Sequence, residues 1–338
     1  VGELLWDLLP QGGQKKLGGA PFNFAYRTTT LGDRGLIVSR VGDDHLGQEA
    51  LAKARELHMD VTYVQVDPEL PTGTVEVTVK DGEPEYRIIP GVAYDALAAT
   101  DELASLVRHA DCVCFGTLVQ RTEHMRRTMA RLLCSEGVSP SCIAGILPAQ
   151  DQGHSRTTGK MPVELMGETP MLRKSGPLKL LDLNLRKDCY SDASVRWSLE
   201  HADVLKLNED EAAHLATLLN LPPAPEDFCR AIVEARRLRA AVVTMGPRGA
   251  LAADAEGGLA YEPGYAVSVV DTVGSGDAFT AAFMHEYLRG RPLADCCRLG
   301  CALGAMVAMQ SGPTGLITPA ELDAFMAAPP PRVTAERK

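Results

Sequence analysis

The sequence predicts an α/β fold, with a mostly parallel central sheet flanked by helices and a small β lid. Short apolar runs of strand length alternate with segments of helical periodicity along most of the chain, as in sheets covered by helices on both faces. One stretch breaks that rhythm with period-two alternation around Asp81-Gly82, the signature of a hairpin. Near the C-terminus an apolar run meets a glycine-rich turn that opens directly onto a helical pattern.

The elements follow in order. The chain opens on Val1-Gly2-Glu3-Leu4-Leu5-Trp6-Asp7, a strand already under way, so native residues are expected to precede it. Gly35–Val41 and Val61–Val66 read as β, with the helical stretch Gly47–His58 between them. Thr72–Ile89 carries Val75, Val77 and Val79, turns at Asp81-Gly82, and resumes at Tyr86 and Ile88. It interrupts the α/β order and is expected to close over substrate as a lid, with Gly18-Gly19 as the hinge. Asp111–Phe115 is a buried strand, followed by a helix over Thr122–Cys134. Gly137–Pro177 holds several prolines and glycines and no periodicity. It is expected to be a mobile, dispensable surface insertion, in which His154 is solvated rather than catalytic. Leu178–Leu183, Val204–Leu207 and Ala240–Thr244 are further strands. Ala266–Val270 is expected to be another, ending at Asp271. After it Ala278, Phe279, Ala281, Ala282, Phe283, Tyr287 and Leu288 recur at helical spacing. The expectation is one domain over 1–328, with lid segments at about 11–19 and 71–95 and a tail at 329–338.

Composition narrows the function. At 338 residues, 45% of them hydrophobic and only 5% aromatic, the chain suits a helix-and-sheet enzyme rather than an aromatic-rich binding module. Acids outnumber bases 44 to 34, which argues against a nucleic-acid or anionic-membrane surface. The nine cysteines are scattered, with no C-x-x-C pair, and although Cys297 and Cys301 share a helix face, no His or further Cys on that face completes a metal site. Reduced, buried thiols in a cytoplasmic protein are the expectation. The sequence shows neither a signal-peptide pattern nor an apolar run of about 18 residues.

The chemistry is concentrated in Asp271-Thr272-Val273-Gly274-Ser275-Gly276-Asp277. A tight turn into a helix offers unpaired N–H groups and the positive end of the helix dipole, and small residues let an anion come close. A carboxylate at Asp277 would repel a phosphate that merely bound there. It suits a general base that takes a hydroxyl proton while the N–H groups stabilise a phosphoryl group in transfer. The bland alternative is an aspartate that only complements the dipole.

Gly18-Gly19-Ala20-Pro21-Phe22-Asn23, Val41-Gly42-Asp43-Asp44, Asp182-x-Asn184-x-Arg186, Asn208-x-x-Glu211, Thr244-x-Gly246-x-x-Gly249 and Asp271-Thr272-x-Gly274-x-Gly276-Asp277, in this order, resemble the ribokinase-like, PfkB-type carbohydrate kinases. Among these the bacterial and plant fructokinases look most similar. The resemblance runs from residue 2 to about 327 and fails only across the insertion. It implies a three-layer ribokinase-like fold and transfer of the ATP γ-phosphoryl to a hydroxyl of a free sugar, with Mg²⁺ as cofactor. The usual P-loop is absent.

The roles below are those the resemblance implies. Asp277 is the base, and the Gly274, Ser275 and Gly276 amides form the anion hole. Asp7, Gly18, Gly19, Asn23 and Asp43 hold the sugar hydroxyls. Asn184 and Arg186 match the fructokinase element, with Arg186 the cation for phosphates or an acidic substituent; its alternative is a surface arginine. Asn208 and Glu211 hold the magnesium–phosphate shell, Glu211 through water, and the same pair also reads as a helix cap. Thr244, Gly246 and Gly249 run along the phosphates, and Ala302, Ala305 and Gly312 shape the adenine slot. Asp271 and Thr272 match a monovalent-cation region, such as one for K⁺. Homodimerisation through the lid is also implied. Ser275 departs from the family's usual alanine but keeps the amide, so activity should survive. The competing readings are a 2-keto-3-deoxygluconate, ribose or nucleoside kinase, or a non-catalytic sugar sensor. A sensor would lose the base or the magnesium carboxylate, and Asp277 and Glu211 are both present.

Overall fold

The computed structural model describes residues 1–8, 15–80, 83–134 and 176–333, with side chains throughout except at 77–86. Most of the expected insertion, the hairpin tip Asp81-Gly82, lid residues 11–14 and the tail from 334 lie outside the described residues.

From the N-terminus the chain runs β1 (Leu5–Leu8), β2 (Lys15–Gly18), α1 (Ala20–Thr30), β3 (Ser39–Gly42), α2 (His45–Glu56), β4 (Val64–Asp67) and the hairpin β5 (Gly73–Lys80) and β6 (Glu83–Ile88). It continues as α3 (Asp101–His109), β7 (Cys112–Phe115), α4 (Glu123–Leu133), β8 (Leu178–Asp182), α5 (Asp192–His201) and β9 (Val204–Asn208). Then come α6 (Glu209–Leu219), α7 (Pro225–Arg236), β10 (Ala240–Thr244), β11 (Ala250–Asp254) and β12 (Leu259–Glu262). Helices α8 (Ser275–Tyr287), α9 (Leu293–Ala308) and α10 (Pro319–Ala327) follow.

Among the described residues the main sheet has the order β12-β11-β10-β9-β8-β7. It is parallel from β7 through β10 and antiparallel at β11 and β12. Side-chain alternation along its strands makes the layers. Leu180 and Val204 face α8 and α9, while their neighbours Leu181 and Leu205 face the α4–α7 side. Phe283 and Phe115, on opposite faces, are essentially unexposed; each such burial stabilises the fold by about 1.5–3 kcal/mol.

The expected hairpin forms as β5 and β6, paired antiparallel, and β5 also pairs with β1. With β2 on the other edge this makes a four-stranded sheet, β2-β1-β5-β6. The hairpin strands therefore share a sheet with the strand that carries Asp7. Residues 1–4 are not themselves a strand. Val1 N donates to Cys114 O at 2.8 Å and Gly2 N to Val38 O at 3.0 Å, which threads Glu3 in beside the start of α1.

Two expectations need correction, and two strands were missed. Ala266–Val270 does not form a strand. Val269 and Val270 are 57% and 64% exposed, and the Val270 and Asp271 amides both reach the Ala308 carbonyl at the end of α9. An apolar run becomes a strand only where a sheet edge receives it, and here a helix end does. Gly35–Val41 pairs as a strand only from Ser39, with a single bridge between Leu36 and Asp60 before it. Strands β11 and β12 were not foreseen at all.

Candidate active site

The functional residues gather at the carboxyl ends of the parallel strands, where open α/β sheets bind ligands. Strand β8 ends in Asp182 and leads to Asn184 and Arg186. Strands β9 and β10 end level with one another, with Asn208 opposite Thr244. Helix α8 starts above them.

Gly274 caps α8 with φ of 79°, a conformation that favours glycine. The Ser275 amide turns back to Thr272 O at 3.2 Å. The Gly274, Gly276 and Asp277 amides have no acceptor among the described residues. Of the amides expected to form an anion hole, those of Gly274 and Gly276 are free among the described residues, that of Ser275 is engaged, and that of Asp277 is free beside them. Ser275 Oγ is buried and unpartnered.

Asp277 lies in the first turn of α8, and Asn23 Nδ2 donates to its Oδ2 at 2.8 Å across 254 positions of sequence. Asn23 is buried in α1, and its Oδ1 has no partner among the described residues, so it is a spare acceptor for a ligand hydroxyl. Burial, and after it the Asp182 carboxylate, push the Asp277 carboxyl up to about 6, against the pull of Asn23, Lys206 and Arg186.

Asp7 projects from β1 with no hydrogen-bond donor among the described residues. Burial pushes its carboxyl up to about 6, opposed by Arg186 and Lys16. Glu3 accepts from Ala20 N at 3.2 Å at the start of α1, and burial pushes it up to about 7. Arg186 is exposed, and its guanidinium forms no ion pair or hydrogen bond among the described residues, yet its charge is felt by Glu3, Asp7 and Asp277. Asn184 has φ of 41°, a strained value for a residue with a side chain, and lines a small cavity with Glu3 and Asp182. Gly18 ends β2 and Gly19 precedes α1 with φ of 111°; a Cβ on Gly19 would lie 2.4 Å from Glu3 O. Asp43 is exposed, and its amide donates to Asp67 O at 2.7 Å. The adjacent Asp44 is consumed by capping α2 and by holding Thr72.

On the nucleotide side, Asn208 and Glu211 form a reciprocal cap at the start of α6. Glu211 Oε2 accepts from Asn208 N and its Oε1 from Leu185 N, both at 2.8 Å. With each oxygen already receiving a backbone amide, Glu211 fits a water-mediated contact to a magnesium ion rather than a direct bond. No cluster of three metal-ligating side chains occurs among the described residues. Thr244 Oγ1 donates to Leu207 O at 3.3 Å, and Gly246 and Gly249 take φ of 54° and 98° in the loop that follows. Ala302 is fully buried in the core, so it could shape an adenine slot only from behind, whereas Ala305 is half-buried.

Asp271 does not present a free carboxylate. Its Oδ2 accepts from Lys16 Nζ at 2.9 Å and Gly312 N at 3.0 Å, and its Oδ1 from Val273 N at 3.0 Å. Burial opposes its ionisation, but Lys16 and these amides outweigh it and hold the carboxyl below its ordinary value. A monovalent cation bound at Asp271 would have to compete with the Lys16 ammonium, so the residues present do not fit such a site well. Thr272 is exposed beside it.

The sequence reading gave Lys206 no role. It is buried, on the α8 side of β9, and its Nζ lies 3.1 and 3.3 Å from the two oxygens of Asp182. The only signal was a lone lysine among Val204, Leu205 and Leu207. Arg27 was also missed. It is fully buried in α1 and donates to Pro313 O and Gly315 O at 2.6 and 2.8 Å, fixing the turn that packs on Gly274.

A half-buried carboxylate beside helix-start amides that have no acceptor among the described residues suits the transfer of a phosphoryl group to an alcohol. The sequence pattern of the pfkB family carbohydrate kinases matches residues 7–136 and 162–320, and the chain belongs to that family. It is 26% identical to a fructokinase from Escherichia coli, covering 84% of this chain and 82% of that one. It is 25% identical to a 2-dehydro-3-deoxygalactonokinase from Haloferax volcanii, over 95% and 94%. The crystal structure of the Xylella fastidiosa fructokinase with bound ATP superposes with a TM-score of 0.75 at 18% identity, over 96% of each chain. The fold is thus the ribokinase-like one, and the protein is a sugar kinase. No helix among the described residues is long and apolar enough to cross a membrane.

The acid limb of activity should follow Asp277. A base must be ionised, so kcat/KM should rise with pH through about 6, the value to which burial and Asp182 push this carboxyl. Stability runs the other way. The folded state holds the Asp277 proton more tightly than the unfolded chain, so this group favours folding below its ordinary value of 3.8, a benefit lost as pH rises through about 6. Steady-state rates and melting curves between about pH 4 and 8 would check both signs, and a flat rate profile would contradict the assignment.

Proposed function

We propose that this kinase phosphorylates free fructose, with Asp277 as the base. The observation that carries the proposal is the 2.8 Å hydrogen bond from Asn23 to Asp277, which joins the fructokinase-like Gly-Gly-Ala-Pro-Phe-Asn segment to the anion-hole turn. In this reading Asp7, Asn23 and Asp43 receive sugar hydroxyls, beside the bare backbone of Gly18-Gly19. Asp277 takes the proton from the hydroxyl whose oxygen attacks the γ-phosphorus. The bond to the β–γ bridging oxygen breaks, ADP leaves, and the free amides at the start of α8 stabilise the negative charge on the phosphoryl oxygens in transit. Bound to the nucleotide phosphates, Mg²⁺ would neutralise their charge, and Glu211 with Asn208 would order its water. Thr244, Gly246 and Gly249 line the phosphates, while Ala305 and Gly312 border the base. The lid sheet excludes water that would otherwise hydrolyse ATP.

Arg186 favours a second reading. An exposed guanidinium without a partner among the described residues, whose charge is felt by three carboxylates, suits an acidic keto-sugar as well as the nucleotide phosphates. A coupled ATPase assay over free ketohexoses and aldohexoses, 2-keto-3-deoxy sugar acids, nucleosides and sugar phosphates decides between them. Fructose should give the highest kcat/KM. A preference for the sugar acids that disappears in Arg186→Ala would establish the second reading instead.

A further inference from the structure

We infer that Lys206 is a positioning residue for phosphoryl transfer: its buried ammonium, fixed by Asp182, backs the Gly276 turn and the Asp277 carboxylate from inside the sheet. The inference rests on the kinase reading above and adds to it a residue that reading did not use.

The geometry is specific. Lys206 shares a face of β9 with Val204, which packs into the apolar core under α8 and α9. A methylene-rich apolar residue would fill that position at less cost, because two charges lose their hydration when they are buried there. The strand instead places an ammonium where a Cβ built on Gly276 would meet it at 3.2 Å, so it lies against the backbone whose N–H opens the anion hole. Thr280 Oγ1 ties the arrangement together. It donates to Gly276 O at 2.8 Å and lies 3.3 Å from Asp182 Oδ2, linking the carboxylate that holds Lys206 to the turn. Burial alone would depress the Lys206 ammonium, but Asp182, Glu211 and Asp277 outweigh it and keep it charged.

A fixed positive charge behind a helix start adds to the helix dipole and acts in a region that water cannot screen. It would favour the ionised form of Asp277 before transfer and the negative phosphoryl oxygens during transfer. Asp182 works against Asp277 ionisation and Lys206 works for it. The other charged or titratable groups that face Asp277 are Arg186, Glu3 and Arg27, with Cys114 from β7. The Lys206–Asp182 pair is the one seated directly beneath the turn.

The test compares kcat, KM and the acid limb of kcat/KM in the parent, Lys206→Met and Asp182→Asn. Lys206→Met should lower kcat about 10²-fold, the loss typical of removing one such electrostatic group, with little change in either KM. Its acid limb should move to higher pH by about one unit, as expected when an opposite charge is removed from a carboxylate. Asp182→Asn should move the limb the other way. Opposite displacements are not what a loss of packing produces. A folded Lys206→Met with the parent's rate and an unmoved limb would overturn the inference. If Lys206→Met does not fold, Lys206→Gln takes its place: a lower kcat with an upward limb supports the inference, and the parent's rate with an unmoved limb overturns it. Asp277→Asn, run in parallel, separates the two levels. If it retains the parent's rate, the base assignment itself fails, whatever Lys206 does.

Discussion

Asp277→Asn should lower kcat by about 10²–10⁴, the range for loss of a general base, while ATP binding stays close to that of the parent. The amide has the shape of the carboxylate and can still meet Asn23, which now holds Asp277 at 2.8 Å. Packing around the first turn of α8 should therefore survive. What disappears is the ability to take the hydroxyl proton. The substitution also removes a negative charge beside the nucleotide phosphates, so ATP affinity should be unchanged or tighter, and the loss should fall on turnover. Coupled-assay kinetics with calorimetric titration of ATP would separate the two. Parent-like turnover would remove Asp277 from the mechanism.

Gly274→Ala should also be severe. Gly274 takes φ of 79°, and a Cβ there would lie 2.4 Å from Pro313 Cβ. The left-handed conformation costs a side-chain-bearing residue about 1–2 kcal/mol, and the clash comes on top of it. The neighbour cannot yield easily, because Arg27 grips the Pro313 carbonyl at 2.6 Å from inside α1. The turn itself must rebuild, carrying the Gly276 and Asp277 amides with it. A drop in kcat of about 10²–10³ is expected, as for loss of an oxyanion-hole donor, with a lower melting temperature. Gly290→Ala is the control. Gly290 has φ of 70° but nothing near its missing Cβ, and it lies at the far end of α8. It should lose stability and keep its turnover. Equal kcat in the two variants would argue against the anion hole.

Much of this was legible from residues alone. Local signals do not depend on distant partners, so the Gly274–Asp277 turn, the Asn208–Glu211 cap and the hairpin after Thr72 could be read from their spacing. The alternation of strands and helices fixed the fold class for the same reason. Strand β11 escaped because Ala250-Leu251-Ala252-Ala253 is mostly alanine, which has weak strand preference. Ala266–Val270 was over-read because hydrophobicity reports burial, and pairing requires a free sheet edge.

The sequence by itself determined which residues could do chemistry: a base after a glycine turn, hydroxyl acceptors near the N-terminus, a cap that can also order metal-bound water. Only the tertiary structure decided which of them meet and in what state. It set Asn23 against Asp277 across the fold and turned the Ser275 amide away from the anion hole. It also committed Asp271 to Lys16 and buried Lys206 beneath the site. Each of these outcomes depends on charge, desolvation and hydrogen-bond geometry between segments far apart in the chain. A carboxylate's proton affinity, or a lysine's role, is a property of the space around it, and that space exists only once the strands have taken their order.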